Sequence, residues 1–92
     1  MNNYIYHYMF IQTEQTPNPQ TLKFLPGQTV LGAGTANFSE GDNIESSPLA
    51  KKLLDVEGVV GVFLGSDFIT ITKKEDFLWE HIKPALLGTI MD

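Results

Sequence analysis

"SPLAKKLLDVEGVVGVFLGSDFITITK", residues 47–73, sets out one helix and two strands in a row. Ser47-Pro48 reads as a helix start, an N-cap hydroxyl followed by proline at the first helical position, where its missing N–H costs nothing. Leu49, Ala50, Leu53, Leu54 and Val56 supply an apolar stripe. Gly58 is placed to end that helix in a left-handed conformation, which glycine adopts without a Cβ penalty. Residues 59–64 and 68–72 are rich in β-branched and aromatic side chains and meet at Gly65-Ser66-Asp67, the strongest hairpin signal in the chain. A helix leading into an antiparallel pair predicts an α+β domain.

Working outward, residues 21–25 form another strand, with Leu22 and Phe24 on one face and Thr21 and Lys23 on the other. Pro26-Gly27 closes it as a turn pair. Before it, Tyr4, Tyr6, Tyr8 and Phe10 alternate with Ile5, His7, Met9 and Ile11, and the strand core is expected at about residues 9–14. Met9 is a possible internal start, so residues 1–8 are read as an extension and 9–92 as the domain. Residues 28–46 are long and weakly patterned, with short strand candidates at Val30-Leu31 and Ala36-Asn37-Phe38. A loop of that length in a small domain is functional or pinned by its few apolar residues.

Residues 75–91 read as a final helix, with Leu78, Ile82, Ala85, Leu86 and Ile90 near a 3.6-residue period. Pro84 removes one hydrogen bond inside it and predicts a kink. The chain stops at Asp92 with no glycine cap, which reads as a boundary cut within a longer run. The expected order is ββ, long loop, αββα: a mainly antiparallel sheet with two helices packed on one face.

The 92 residues fit one domain, and a chain of this size buries roughly 60–65% of its unfolded surface, leaving little area for a deep cleft. Six lysines, no arginine and eleven acids give a net charge of −5. Phosphate-backbone binding needs clustered Lys and Arg, so this balance argues against nucleic acid and against an anionic membrane surface. With no cysteine there is no disulfide framework, thiolate ligand or thiolate nucleophile, and a reducing compartment such as the cytoplasm is the default. The opening decapeptide lacks a basic n-region and an unbroken apolar run, so no signal peptide is expected.

Candidate chemistry is sparse. His7 and His81 are the only imidazoles, and a metal site needs several convergent ligands. No G-x-S-x-G elbow occurs. Glu75-Asp76 are read as acids at a helix start, where they complement the dipole. "GAGTAN", residues 32–37, has G-x-G but asparagine where a dinucleotide loop needs its third glycine, so the glycines are read as loop flexibility. Phe24, Phe63, Phe68, Phe77 and Trp79 fall at core-facing spacings; an exposed Trp79 or Phe68 would mark an interface.

The remaining feature is Thr16-Pro17-Asn18-Pro19. It is either a rigid link that sets the register of the next strand or a pre-ordered surface for a partner, and proline stiffening serves both.

Residues 9–27, "MFIQTEQTPNPQTLKFLPG", resemble the opening of the N-terminal domain of Nfu-type (NifU-like) iron–sulfur cluster scaffold proteins. Residues 47–73 resemble the central helix and hairpin of that domain, and "WEHIKPALLGTIMD", residues 79–92, its final helix. The resemblance implies an accessory or docking role in assembling iron–sulfur clusters and delivering them to apo-proteins, without enzymatic activity. In that family a separate C-terminal domain holds the cluster through Cys-x-x-Cys. This chain has no cysteine, so no cluster ligand is expected in it.

The expected partners are apo iron–sulfur targets, assembly factors, or that C-terminal domain. The expected partner-binding residues are Thr16, Pro17, Asn18, Pro19 and Lys23. The implied location is the cytoplasm in a bacterium or the mitochondrial matrix in a eukaryote. Two other readings stay open: a general protein-interaction adaptor unrelated to iron, and a small stand-alone enzyme.

Overall fold

The computed structural model describes residues 11–27, 30, 35–39 and 47–91. The tyrosine-rich segment, His7, Leu31 and the glycines of residues 32–34 lie outside these. Seven elements follow in order: β1 (Gln12–Gln15), β2 (Thr21–Leu25), β3 (Ala36–Ser39), α1 (Pro48–Leu54), β4 (Val59–Leu64), β5 (Ile69–Lys73) and α2 (Trp79–Met91). The five strands form one antiparallel sheet in the order β1-β2-β5-β4-β3. The expected α+β architecture is present, with both helices on one sheet face.

Period-2 alternation decides which side chains meet the helices. Leu22 and Phe24 of β2, Ile69 and Ile71 of β5, and Val62 and Leu64 of β4 are all buried, and they pack with Ala50 and Leu53 of α1 and Ile82 and Leu86 of α2. Cross-strand register aligns Leu22 with Ile71 and Val62, and Phe24 with Ile69 and Leu64. The other face carries Lys23, Thr70, Phe63 and Asn37 in one cross-strand row, and no helix covers it among the described residues.

The helix start is as expected: the Ser47 hydroxyl accepts the Ala50 N–H at 3.1 Å, and Pro48 opens α1. Its end is not. The helix stops at Leu54 with Asp55 as cap, and Gly58, at φ +97°, instead turns the chain into β4. A side chain at Gly58 would put its Cβ 2.6 Å from the Phe77 ring, so both the backbone and the space require glycine there.

Register shifts between Val59 and Gly61, so Val60 is the extra residue of a β-bulge. This explains why Val59 and Val62, three apart, are both buried.

Three further expectations are corrected. The second hairpin strand, β5, lies one residue later than expected; the short strand expected at Ala36-Asn37-Phe38 is present as β3, an edge strand paired to β4. Of the strand expected at about residues 9–14, Met9 and Phe10 lie outside the described residues and Ile11 precedes the pairing; β1 runs over Gln12–Gln15, and Pro17 prevents the ladder from continuing past the corner. Finally, α2 begins at Trp79, not at residue 75. Residues 74–77 form a turn closed by the Phe77 N–H on the Lys74 carbonyl at 3.2 Å, so Glu75 and Asp76 precede the helix and Glu80 is its first-turn acid. In consequence Leu78 is 53% exposed, and Ala85 also faces out. The helix continues through Pro84 to Met91.

Candidate docking site

Two prolines and one asparagine force the chain between β1 and β2 into a bonded corner. The Thr16 hydroxyl accepts the Asn18 N–H at 3.2 Å and lies 2.9 Å from the carbonyls of both Asn18 and Thr21, donating its one proton to either. The Asn18 side-chain oxygen accepts the Gln20 N–H at 2.9 Å, and its backbone carbonyl accepts the Thr21 N–H at 2.9 Å. A short side chain that bonds the backbone two residues on is how asparagine stabilises turns. The corner therefore makes internal use of its polar groups, as the link reading requires.

The corner is also fastened to the last helix. The Trp79 indole N–H donates to the Pro19 carbonyl at 3.0 Å, across 60 residues of sequence. Beside it, Lys73 ends β5 on the helix side of the sheet. It is only 7% exposed, and its ammonium donates to Gln20 Oε1 at 2.7 Å and to the Lys74 carbonyl at 3.3 Å. The same ammonium sits 5.6 Å from the Trp79 ring centroid, within cation–π range.

Together these elements enclose a groove of about 530 Å³. Its walls are Thr13 and Gln15 of β1, the corner from Thr16 to Pro19, and Trp79 and Lys83 of α2, which stand one turn apart on the helix. Four of the five expected site residues, Thr16, Pro17, Asn18 and Pro19, line it.

Lys23 does not. It stands on the uncovered sheet face, 4.0 Å from Glu14 and 4.5 Å from the Phe68 ring centroid. Phe68 in turn stacks on Phe63 at 5.9 Å. Of the five aromatics expected in the core, Phe24 is fully buried, whereas Phe63, Phe68, Phe77 and Trp79 are half-buried.

Residues that sequence reasoning missed are Gln15, Trp79 and Lys83 as groove walls and Lys73 as a buried cation. For Lys73 a signal existed: in "ITITK" it shares its face with Ile69 and Ile71. Trp79 is an interface candidate by residue type, but nothing local signals the meeting of these walls, because they come from opposite ends of the chain.

Among the described residues the groove holds no catalytic constellation of nucleophile and base, and the only titratable side chain lining it is that of Lys83. Among the described residues no three His, Cys, Asp or Glu side chains converge on a point, and His81 is exposed on α2. With no cysteine in the chain, these residues do not fit an iron–sulfur cluster. No helix among them is long and apolar enough to cross a membrane.

The fold and the corner thus define a small α+β domain with a groove beside the corner. Comparison with known proteins gives it a family: residues 11–92 match the family described as "Scaffold protein Nfu/NifU N terminal", and the chain belongs to it. It is 60% identical over 85 residues to the mitochondrial NFU1 iron–sulfur cluster scaffold homolog of Drosophila sechellia, and 49% identical over 84 residues to the mitochondrial NifU-like protein 5 of Arabidopsis thaliana. In each case 91% of this chain aligns with 30% of the relative, so the chain spans about a third of the length of these relatives.

The solution structure of a NifU-like protein from Saccharomyces cerevisiae superposes with a TM-score of 0.76 at 32% identity, covering 88% of this chain and 74% of that one. A crystal structure of a Staphylococcus aureus protein gives 0.74 at 30% identity, covering 87% and 95%. The resemblance read from residues 9–27, 47–73 and 79–92 is confirmed.

Proposed function

We propose that this domain is the docking module of an iron–sulfur cluster scaffold or carrier, and that it contributes to cluster assembly and to delivery to apo-proteins without ligating the cluster itself. The observation that carries this reading is the corner at Thr16–Pro19, tied to Trp79 and opening onto a groove that has no catalytic side-chain set. A wall pre-ordered by two prolines and several short hydrogen bonds loses little conformational entropy when a partner binds. The cluster is cargo here, held by cysteines that this chain lacks. The partners in this reading are apo iron–sulfur proteins, assembly factors, or a Cys-x-x-Cys domain of the same protein. The relatives' names place them in mitochondria, and the matrix is the corresponding location for this domain in a eukaryote.

The test is calorimetric titration against an apo iron–sulfur protein. Gln15→Trp fills the groove and keeps strand propensity, and it should weaken binding about tenfold with an unchanged unfolding midpoint. Asn37→Lys, on the uncovered face, should leave affinity unchanged. Equal affinity for both variants and wild type would remove the groove from the reading. In a second test, anaerobic reconstitution with iron and sulfide should leave no stoichiometric cluster on the desalted domain.

A further inference from the structure

We infer that the groove takes an extended, acidic partner segment, added as a sixth strand along the outer edge of β1. This deepens the docking reading and rests on it. Two independent observations converge on that occupant.

The first is charge. In a chain of net charge −5, the only charged side chain lining the groove among the described residues is the cation Lys83. Behind Trp79 lies a second cation, Lys73, which is 7% exposed. Buried lysines are nearly always paired. Yet among the described residues the one ion pair is Lys23 with Glu14, on the opposite sheet face. The Lys73 ammonium is held by Gln20, the Lys74 carbonyl and the Trp79 ring, whereas Lys83 has no carboxylate against it among the described residues. Lys23, by contrast, already has Glu14 and the Phe68 ring, so the uncovered face carries no comparable unmet charge.

The second is the backbone. β1 is an edge strand, and nothing pairs with its outer side among the described residues. In an antiparallel pair, alternate residues turn their N–H and C=O groups away from the partner strand, so β1 presents outward donors and acceptors beside the groove. An added strand would use these, and every second side chain of it would project to the helix side. That is the side on which Thr13 and Gln15 point, aligned with Phe24 and Leu22, and on which Lys73 and Lys83 stand. An acidic residue projecting to that side thus meets Lys83 at the groove wall, while the intervening side chains lie over the uncovered face. Because β1 has four residues, the segment spans roughly 13 Å, four to six residues of partner.

The probe is a capped hexapeptide alternating valine and glutamate, with two controls: the valine–lysine version, and the glutamate version N-methylated at alternate residues to remove strand hydrogen bonds. Trp79 is the only tryptophan, so its fluorescence reports occupancy of the groove, and amide shifts of residues 12–15 report strand addition. The glutamate peptide should give a saturable change that weakens with salt. Lys83→Glu should weaken it about tenfold, and each control peptide should bind at least as much more weakly.

Equal binding of the two charge versions, no effect of N-methylation, or no saturable change would overturn the inference. A parallel titration with an apo iron–sulfur protein separates the two proposals. Target binding that is indifferent to Lys83→Glu and to the peptide sinks the acidic segment and leaves docking intact. Absence of target binding sinks the docking reading, while the peptide result still decides the groove's chemistry.

Discussion

Replacing Asn18 with alanine should lower stability by about 0.5–1.5 kcal/mol. The Asn18 side-chain oxygen accepts the Gln20 N–H at 2.9 Å, at the exposed corner that leads into β2. Alanine removes that acceptor, but water reaches the freed N–H, so the loss is that of one ordinary hydrogen bond and not the larger penalty of a buried unsatisfied group. For a domain of this size 1 kcal/mol corresponds to about 4–8 °C in Tm. Urea unfolding followed by Trp79 fluorescence reads the effect directly, with the slope unchanged.

Asn18→Asp keeps the acceptor and should recover most of the loss. Thr16→Val removes the hydroxyl that bonds the same corner, so the Thr16/Asn18 double variant should lose less than the sum of the two. If Asn18→Ala stays within about 0.3 kcal/mol of wild type, or if Asn18→Asp is as damaging, the asparagine does not hold the corner.

Leu53→Ala, at a fully buried position of α1, should cost about 2–5 kcal/mol, whereas the exposed neighbour Lys52→Ala should cost little; equal urea midpoints would show the helix face to be misassigned. Gly58→Ala combines a φ of +97° with a Cβ driven into Phe77, and a loss of roughly 1–3 kcal/mol is expected by thermal unfolding; a neutral result would mean that the turn relaxes freely. Removal of residues 1–8 should leave the unfolding midpoint within a few degrees, because the family match begins at residue 11; a loss of several kcal/mol, large against a typical ~5–15, would make the tyrosine segment part of the sheet.

Features that depend on neighbours in sequence were readable. Ser47-Pro48, the β4–β5 hairpin and the inward face of β2 all follow from local bonding or period-2 alternation, and the structure has them. The same alternation, applied to "TLKFL", already sets Lys23 opposite Leu22 and Phe24 and so apart from the corner. What stayed hidden is non-local. Val60 bulges because of how Val59 and Gly61 register against β5, and no periodicity in "VVGV" displays that. The late start of α2 depends on a turn at residues 74–77 seated beneath Gly58. The groove depends on Trp79 meeting Pro19, a pairing that no local pattern encodes.

That last contact ties competence to completion. The groove's walls are drawn from residues 13–22 on one side and from Trp79 and Lys83 on the other, so it cannot exist until the final helix has closed over the first hairpin. Contacts of such long separation carry the loop-closure cost of folding and form after the local elements. On a ribosome, β1 and β2 emerge early and must wait for α2 before their corner has a second wall. A chain caught part-way, or one in which α2 has frayed, presents the Thr16–Pro19 corner without its tryptophan. A partner that reads both walls at once would pass over unfinished copies, and recognition would double as a check that the fold has closed.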